Sequence, residues 1–202
     1  MILHDNITQN TPEWHKARLG LPTASAFDQL ITPVKGDPSA SADPYENRLV
    51  AERITGDPID DFGGTMWTER GHELEPEAVA YYEMIKGIDV THGCFATDDA
   101  GTYGASPDCF AGDDGLLEIK CLAPHTHVGM LLNPKADRKH YPQLQGQLLV
   151  TNKEWVDILF YHPKLPKLII RVERDIEYIG KLKTAIDSCL ANVEAKMKQI
   201  KG

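Results

Sequence analysis

The stretch SPDCFAGDDGLLEIKC, residues 106–121, places Asp108, Glu118 and Lys120 around a single turn. GLLEIKC is apolar enough for a buried strand, and Gly112-Asp113-Asp114-Gly115 before it is a turn signal, so the stretch reads as a hairpin. Side chains at i and i+2 of a strand share a face, so Glu118 and Lys120 point one way while Ile119 points into the core. A buried carboxylate beside a buried ammonium is costly unless the two are paired or used. Two carboxylates converging on one point beside a lysine suit a hard divalent cation. Mg2+ takes oxygen ligands at about 2.0–2.1 Å and usually accepts only one or two protein carboxylates. Such an ion polarises a phosphodiester and lowers the pKa of a bound water, while a lysine orients that water or steadies the developing charge. The plain alternative is a surface hairpin on which Glu118 and Lys120 form an ordinary pair.

The rest of the chain sets bounds on this reading. Its 202 residues are enough for one compact domain spanning 1–202 and only marginally enough for two. With 42% hydrophobic and 25% charged residues, it has the composition of a soluble globular protein. MILHDNITQN lacks a basic region followed by an apolar run, so no signal peptide is expected, and no stretch approaches the roughly 18 apolar residues of a membrane span. The four cysteines show no C-x-x-C spacing, which fits reduced thiols in a cytoplasm better than a zinc ribbon. The formal charge of −9 excludes a uniformly basic nucleic-acid coat but leaves room for a local cationic surface.

Around the hairpin the elements follow from capping and periodicity. Thr11 caps a helix with Pro12 at its first position, running to Arg18. Thr23 or Ser25 caps a second helix, AFDQLI. Asp43-Pro44-Tyr45-Glu46 reads as an N-cap, a first-turn proline and a capping-box acid, for a helix ending at Gly56. A longer helical region covers Met66 to Lys86, which Pro76 should kink or divide. Strands are expected near Val90–Ala96, Gly101–Ala105 and Leu116–Lys120, then helices around His125–Leu132 and Asp137–Thr151. Strands Trp155–Tyr161 and Leu168–Val172 lead to an amphipathic helix from Asp175 to about Gln199. This order gives an α/β fold, a small mixed sheet flanked by helices.

The order S-P-D, turn, apolar-apolar-E-I-K resembles the PD-(D/E)xK nuclease signature. Further blocks extend the likeness to the phage lambda-type exonucleases, the alkaline exonucleases of viral recombination systems. W-H-K-A-R-L-G-L-P-T-A-S (Trp14 to Ser25) looks like that family's opening motif, R-G-H-E-L-E (Arg70 to Glu75) like its helix motif, and Y-P-Q-L-Q-G-Q-L-L-V-T (Tyr141 to Thr151) like its glutamine-bearing helix. The blocks are collinear and cover most of residues 10 to 175.

The resemblance implies a restriction-endonuclease-like core and a set of roles. Asp108 and Glu118 would be metal ligands, completed by the Ile119 carbonyl. Lys120 would position or activate the attacking water, Glu75 would hold a second metal or a metal-bound water, and Gln143 would line the site. Arg18, Ser25 and Ser106 would bind a terminal 5′-phosphate, the planar guanidinium being suited to bidentate contacts. Simpler readings remain for two of these: Glu75 on a solvated helix face, and Arg18 as a cation at a helix C-terminus. Met66 and Trp67 could wedge between base pairs or pack in the core. Arg138 and Lys139 could touch the DNA backbone or merely begin a solvated helix.

The activity implied is a Mg2+-dependent 5′→3′ exonuclease, with Mn2+ substituting, that degrades one strand of double-stranded DNA to mononucleotides and leaves a 3′ single strand. The same likeness implies a ring-shaped homotrimer around DNA ends, a single-strand annealing protein as partner, no membrane, and a bacterial cytoplasm with a phage or prophage gene. The rivals are a structure-specific or restriction-type endonuclease and a non-catalytic DNA-end-binding protein.

Overall fold

A computed structural model describes residues 1–59, 66–134 and 138–202, and of residues 66–69 only the backbone. The stretch 106–121 forms the expected hairpin, in which β5 (Cys109–Ala111) runs antiparallel to β6 (Gly115–Lys120), with Cys109 opposite Leu117. On its other side β6 pairs in parallel with β7 (Trp155–Phe160), and β7 pairs antiparallel with β8 (Leu168–Glu173). With β2 (Val90–His92) beside β5, the sheet order is β2-β5-β6-β7-β8. A parallel pair cannot be joined by a tight turn. The crossover from β6 to β7 is made by α4 (Pro124–Leu132) and α5 (Tyr141–Thr151). A second sheet of three short strands, β1 (Ile2–His4), β3 (Phe95–Thr97) and β4 (Gly104–Ala105), stands apart in the order β1-β3-β4.

Strand alternation divides the core into layers. Leu117 on β6, with Leu159 and Tyr161, faces Ala78 and Tyr82 of α3 (Met66–Lys86). Leu116, Val156, Ile158 and Phe160 face Leu144 and Leu148 of α5. Eight of the eleven residues of α5 are buried, because beyond it lie a 3-10 helix (Ala24–Gln29), α2 (Ala42–Thr55) and α6 (Ile176–Lys201). A helix enclosed in this way has no purely solvent face, so its polar side chains must find partners inside the protein.

Several boundaries differ from the expectations, each for a local reason. Helix α1 (Pro12–Arg18) begins as expected, with Thr11 Oγ1 accepting from the Trp14 N–H. Where the helix AFDQLI is expected, Ala24–Gln29 forms a 3-10 helix after Thr23, whose hydroxyl accepts from Arg18 and makes no capping bond. α2 starts at Ala42, after Ser41, so Asp43 is not the cap. Its carboxylate takes Lys196 and Asn47, and Glu46 reaches Asn192 and Lys196. Pro76 does not divide α3: it removes one backbone donor, whereas Ala78 and Tyr82 keep the helix seated on the sheet. The segment expected as one strand near Val90–Ala96 splits between the two sheets at Gly93, whose N–H donates to the Asp108 carbonyl at 2.8 Å. A side chain at Gly93 would run into the Pro107–Asp108 backbone. The strand expected over Gly101–Ala105 shrinks to two residues because Asp98 captures the N–H groups of Thr102 and Tyr103 in a turn. The helix expected from Asp137 begins at Tyr141, with Pro142 in its first turn; Asp137 lies outside the described residues. Strand β1 adds to those expected, while β5 is the first arm of the expected hairpin.

Gly146 lets α5 approach the 3-10 helix, since a Cβ there would collide with the fully buried Phe27 ring. Gly146→Ala should therefore lower stability by roughly 1–3 kcal/mol, as overpacked cores do, despite the gain of about 1 kcal/mol in helix propensity. The cost should shrink in a Phe27→Leu background. Urea midpoints of the four proteins test this, and a stabilised Gly146→Ala protein would contradict it.

Candidate active site

Beyond Leu117, β6 has no strand partner on its β5 side among the described residues, because β5 begins only at Cys109 and Asp108 precedes it in the loop. The Ile119 N–H that a ladder would have used donates to Asp108 Oδ2 at 2.6 Å. A strand residue's carbonyl leaves on the same side as its N–H, so the Ile119 carbonyl borders the same gap as Asp108. Glu118 points to the opposite face of the strand from Ile119, toward α5, and is 3% exposed. Its Oε1 accepts from Lys120 Nζ at 2.6 Å and from Gln143 Nε2 at 2.7 Å, and its Oε2 accepts from Gln147 Nε2 at 2.6 Å. Lys120 Nζ also lies 3.5 Å from Gln143 Oε1. The hairpin pair is thus an enclosed network and not an ordinary surface ion pair.

Burial, and next the Glu118 carboxylate, hold the Asp108 carboxyl well above the usual carboxylate range. Lys120 and the Ile119 N–H pull it back down. This oxygen-rich corner, with an excess of negative charge, fits a hard divalent cation held by Asp108, Glu118 and the Ile119 carbonyl. Glu75 lines the same pocket from α3. Among the described residues, however, no three His, Cys, Asp or Glu side chains gather closely enough to hold an ion by themselves.

A second cluster opens into the same pocket. Arg18, at the end of α1, donates to Ser106 Oγ at 3.1 Å, Thr23 Oγ1 at 3.1 Å and Ser25 Oγ at 2.9 Å, and its guanidinium lies 4.1 Å from the Trp14 ring centre. Trp14 Nε1 also donates to Ser106 Oγ, at 3.1 Å. With both lone pairs engaged, the Ser106 hydroxyl has its proton left to donate to an anion. The loop carrying this cluster is pinned from α2: Gly20 N–H donates to Glu52, the Gly20 carbonyl accepts from Arg53, and the Thr23 N–H reaches the Tyr45 hydroxyl. From the other side, the Gly104 N–H donates to the Pro22 carbonyl. Arg18 thus engages side-chain hydroxyls across the pocket.

One open pocket of about 540 Å3 joins the two clusters, lined by Arg18, Ser25, Ser106, Glu75, Asp108 and the Glu118 network among others. Lys139 lines a smaller adjoining pocket with Ser25, Lys120 and Gln143, while Arg138 is exposed in the turn before α5. The side chains of Met66 and Trp67 lie outside the described residues. Trp14, Thr23 and Gln147 were missed in the sequence. Trp14 and Thr23 lie inside the W-to-S block itself, and Gln147 is one helical turn beyond Gln143.

Residues 13–154 match the model of the YqaJ-like viral recombinase domain. The crystal structure of an alkaline exonuclease, LHK-Exo, from Laribacter hongkongensis superposes with a TM-score of 0.85 at 34% identity, over 95% of this chain and 96% of that one. The same exonuclease in complex with dAMP gives 0.84 at 34% identity, with the same coverage. A phage-related exonuclease from Haemophilus somnus 129PT shares the fold, at TM-score 0.73 and 14% identity over 89% of this chain and 96% of that one. No curated protein matches.

The raised Asp108 has a consequence for stability. A carboxyl with a higher pKa in the folded than in the unfolded state stabilises below the unfolded value, and that stability is lost as pH rises through the folded value. In chelator, Asp108→Asn should therefore melt several degrees above the parent at pH 8, since each kcal/mol moves a domain of this size by roughly 2–4 °C. The gap should narrow toward pH 5, and added Mg2+ should narrow it at pH 8 by stabilising only the parent. Thermal melts under these conditions decide. A lower melting point for the variant would mean that the protein alone satisfies the ionised Asp108.

Proposed function

The chain belongs to the YqaJ-like viral recombinase domain family, with the mixed α/β fold of the alkaline exonucleases, and on that premise we propose that it is a Mg2+-dependent 5′→3′ exonuclease on double-stranded DNA. It releases mononucleotides from the 5′-ended strand and leaves a 3′ single strand for recombination by strand annealing. The observation that carries this reading is the single pocket that joins the Asp108–Glu118–Lys120 corner to the Arg18–Ser25–Ser106 cradle. A cradle for a terminal phosphate beside a hydrolytic centre measures out one nucleotide from an end.

In this reading Arg18 grips the 5′-phosphate, with charge-assisted bonds that the neighbouring hydroxyls extend. Asp108, Glu118 and the Ile119 carbonyl hold the cation, which supplies positive charge to polarise the scissile phosphate and favour deprotonation of water. Lys120 orients the attacking water and offsets charge on the phosphate in the transition state. Glu118 and Gln143 keep the lysine's ammonium group at the site. After each cleavage the next 5′-phosphate enters the cradle. A ring-shaped homotrimer with a cation-lined channel would reconcile the charge of −9 with a polyanionic substrate, and a single-strand annealing protein would receive the 3′ strand. Mn2+, also an oxygen-seeking ion, would substitute for Mg2+.

Single-turnover digestion of matched duplexes bearing a 5′-phosphate or a 5′-hydroxyl tests the cradle. The parent should prefer the phosphate, and Arg18→Ala should slow that substrate and largely erase the preference. Lys120→Ala should slow both substrates alike, by roughly 10²–10⁴-fold. An unchanged preference in Arg18→Ala would remove Arg18 from the site.

A further inference from the structure

Helix α5 carries three glutamines, Gln143, Gln145 and Gln147, and their spacing divides them. Residues i and i+4 of a helix share a face, whereas i+2 lies away from both. Gln145 accordingly turns from the site: its Nε2 donates to the Glu173 carbonyl at 2.8 Å, and its Oε1 accepts from the Asp175 N–H at 3.0 Å. Gln143 and Gln147 both face Glu118 and take one carboxylate oxygen each. Gln143 also lies beside Lys120, but Gln147 has no such second task.

Gln147 is fully buried, and its Oε1 has no hydrogen-bond partner among the described residues. Leaving a buried acceptor unsatisfied is destabilising. Turning the amide over would not remove the cost, because Oε1 would then face Glu118 Oε2, acceptor against acceptor. The orientation is therefore dictated by Glu118, and a dedicated donor is kept there at the expense of its own carbonyl.

We propose that Gln147 is a positioning residue that fixes the plane of the Glu118 carboxylate and so sets the affinity of the site for its divalent cation. The inference rests on the metal-centre reading above. A carboxylate gripped at both oxygens cannot rotate when the ion arrives, so the ion meets a ligand already oriented. Hydrogen-bond partners of ligating groups typically contribute 10–100-fold to metal affinity or activity.

The test is Gln147→Met, which keeps length and apolar packing but loses the donor, with Gln145→Met as a control in the same helix. Mn2+ is titrated into each DNA-free protein and the free ion is followed by electron paramagnetic resonance. Gln147→Met should weaken binding by about 10–100-fold, whereas Gln145→Met should bind as the parent does even where its melting point falls. On DNA, the Gln147→Met rate should recover at high Mg2+ with KM for duplex ends unchanged. Mn2+ affinity in Gln147→Met within twofold of the parent would overturn the proposal, as would a parent that binds no Mn2+. A parent that binds the ion but releases no nucleotides would sink the exonuclease reading, and the titration would still decide the role of Gln147.

Discussion

The carboxylate of Glu118 is the point on which the site depends. It is buried between a sheet and a helix and receives three donors, Lys120 Nζ, Gln143 Nε2 and Gln147 Nε2. An ionised group so placed is tolerable only because both of its oxygens have hydrogen-bond partners. Those partners come from two elements, β6 and α5, so the electrostatics of one side chain join the strand to its crossover helix. The parallel pairing of β6 with β7 demands that crossover, and the burial of Gln145 and Gln147 on α5 leaves those two no solvent to turn to. Fold and chemistry meet in the same contact.

Asp108 is held differently. It sits just before the start of β5, tied at its carbonyl by Gly93 and at its side chain by the Ile119 N–H that β5 does not reach. The late start of one strand therefore supplies both a fixed carboxylate and an open strand edge. The Arg18 cradle is set by a third device, a loop clamped between α2 and the small sheet. Three unrelated pieces of backbone thus deliver an acidic corner and a cationic corner to one pocket. This segregation answers the charge problem: an acidic chain can still present a guanidinium in the pocket where the proposed function needs one for a phosphate.

Much of this could be read in the sequence because it depends on short-range rules. Period-two alternation places Glu118 and Lys120 together, Pro12 after Thr11 starts α1, and Asp175 caps α6, its carboxylate accepting from the Tyr178 N–H. Strands β6, β7 and β8 and most of the flanking helices follow from such signals, whereas the division of the strands between two sheets does not. What escaped depends on tertiary partners. Asp43 is drawn from its expected cap by Lys196 on a helix some 150 residues away, a partner no local pattern shows. Strands of two or three residues, such as β1 and β4, are too short to carry a period. Gln147 was within reach, since i to i+4 spacing puts it beside Gln143, but its burial against Glu118 appears only when the crossover is folded.

The central claim is that hydrolysis starts at a DNA end because the phosphate cradle and the metal corner share one pocket. The most direct measurement offers the protein covalently closed circular duplex and the same DNA linearised, with Mg2+, and follows both the intact DNA and the acid-soluble nucleotides. The linear form should be consumed with release of mononucleotides while the closed circle survives intact. Nicking or linearisation of the circle would contradict the account, because a site that cuts without an end has no need of Arg18.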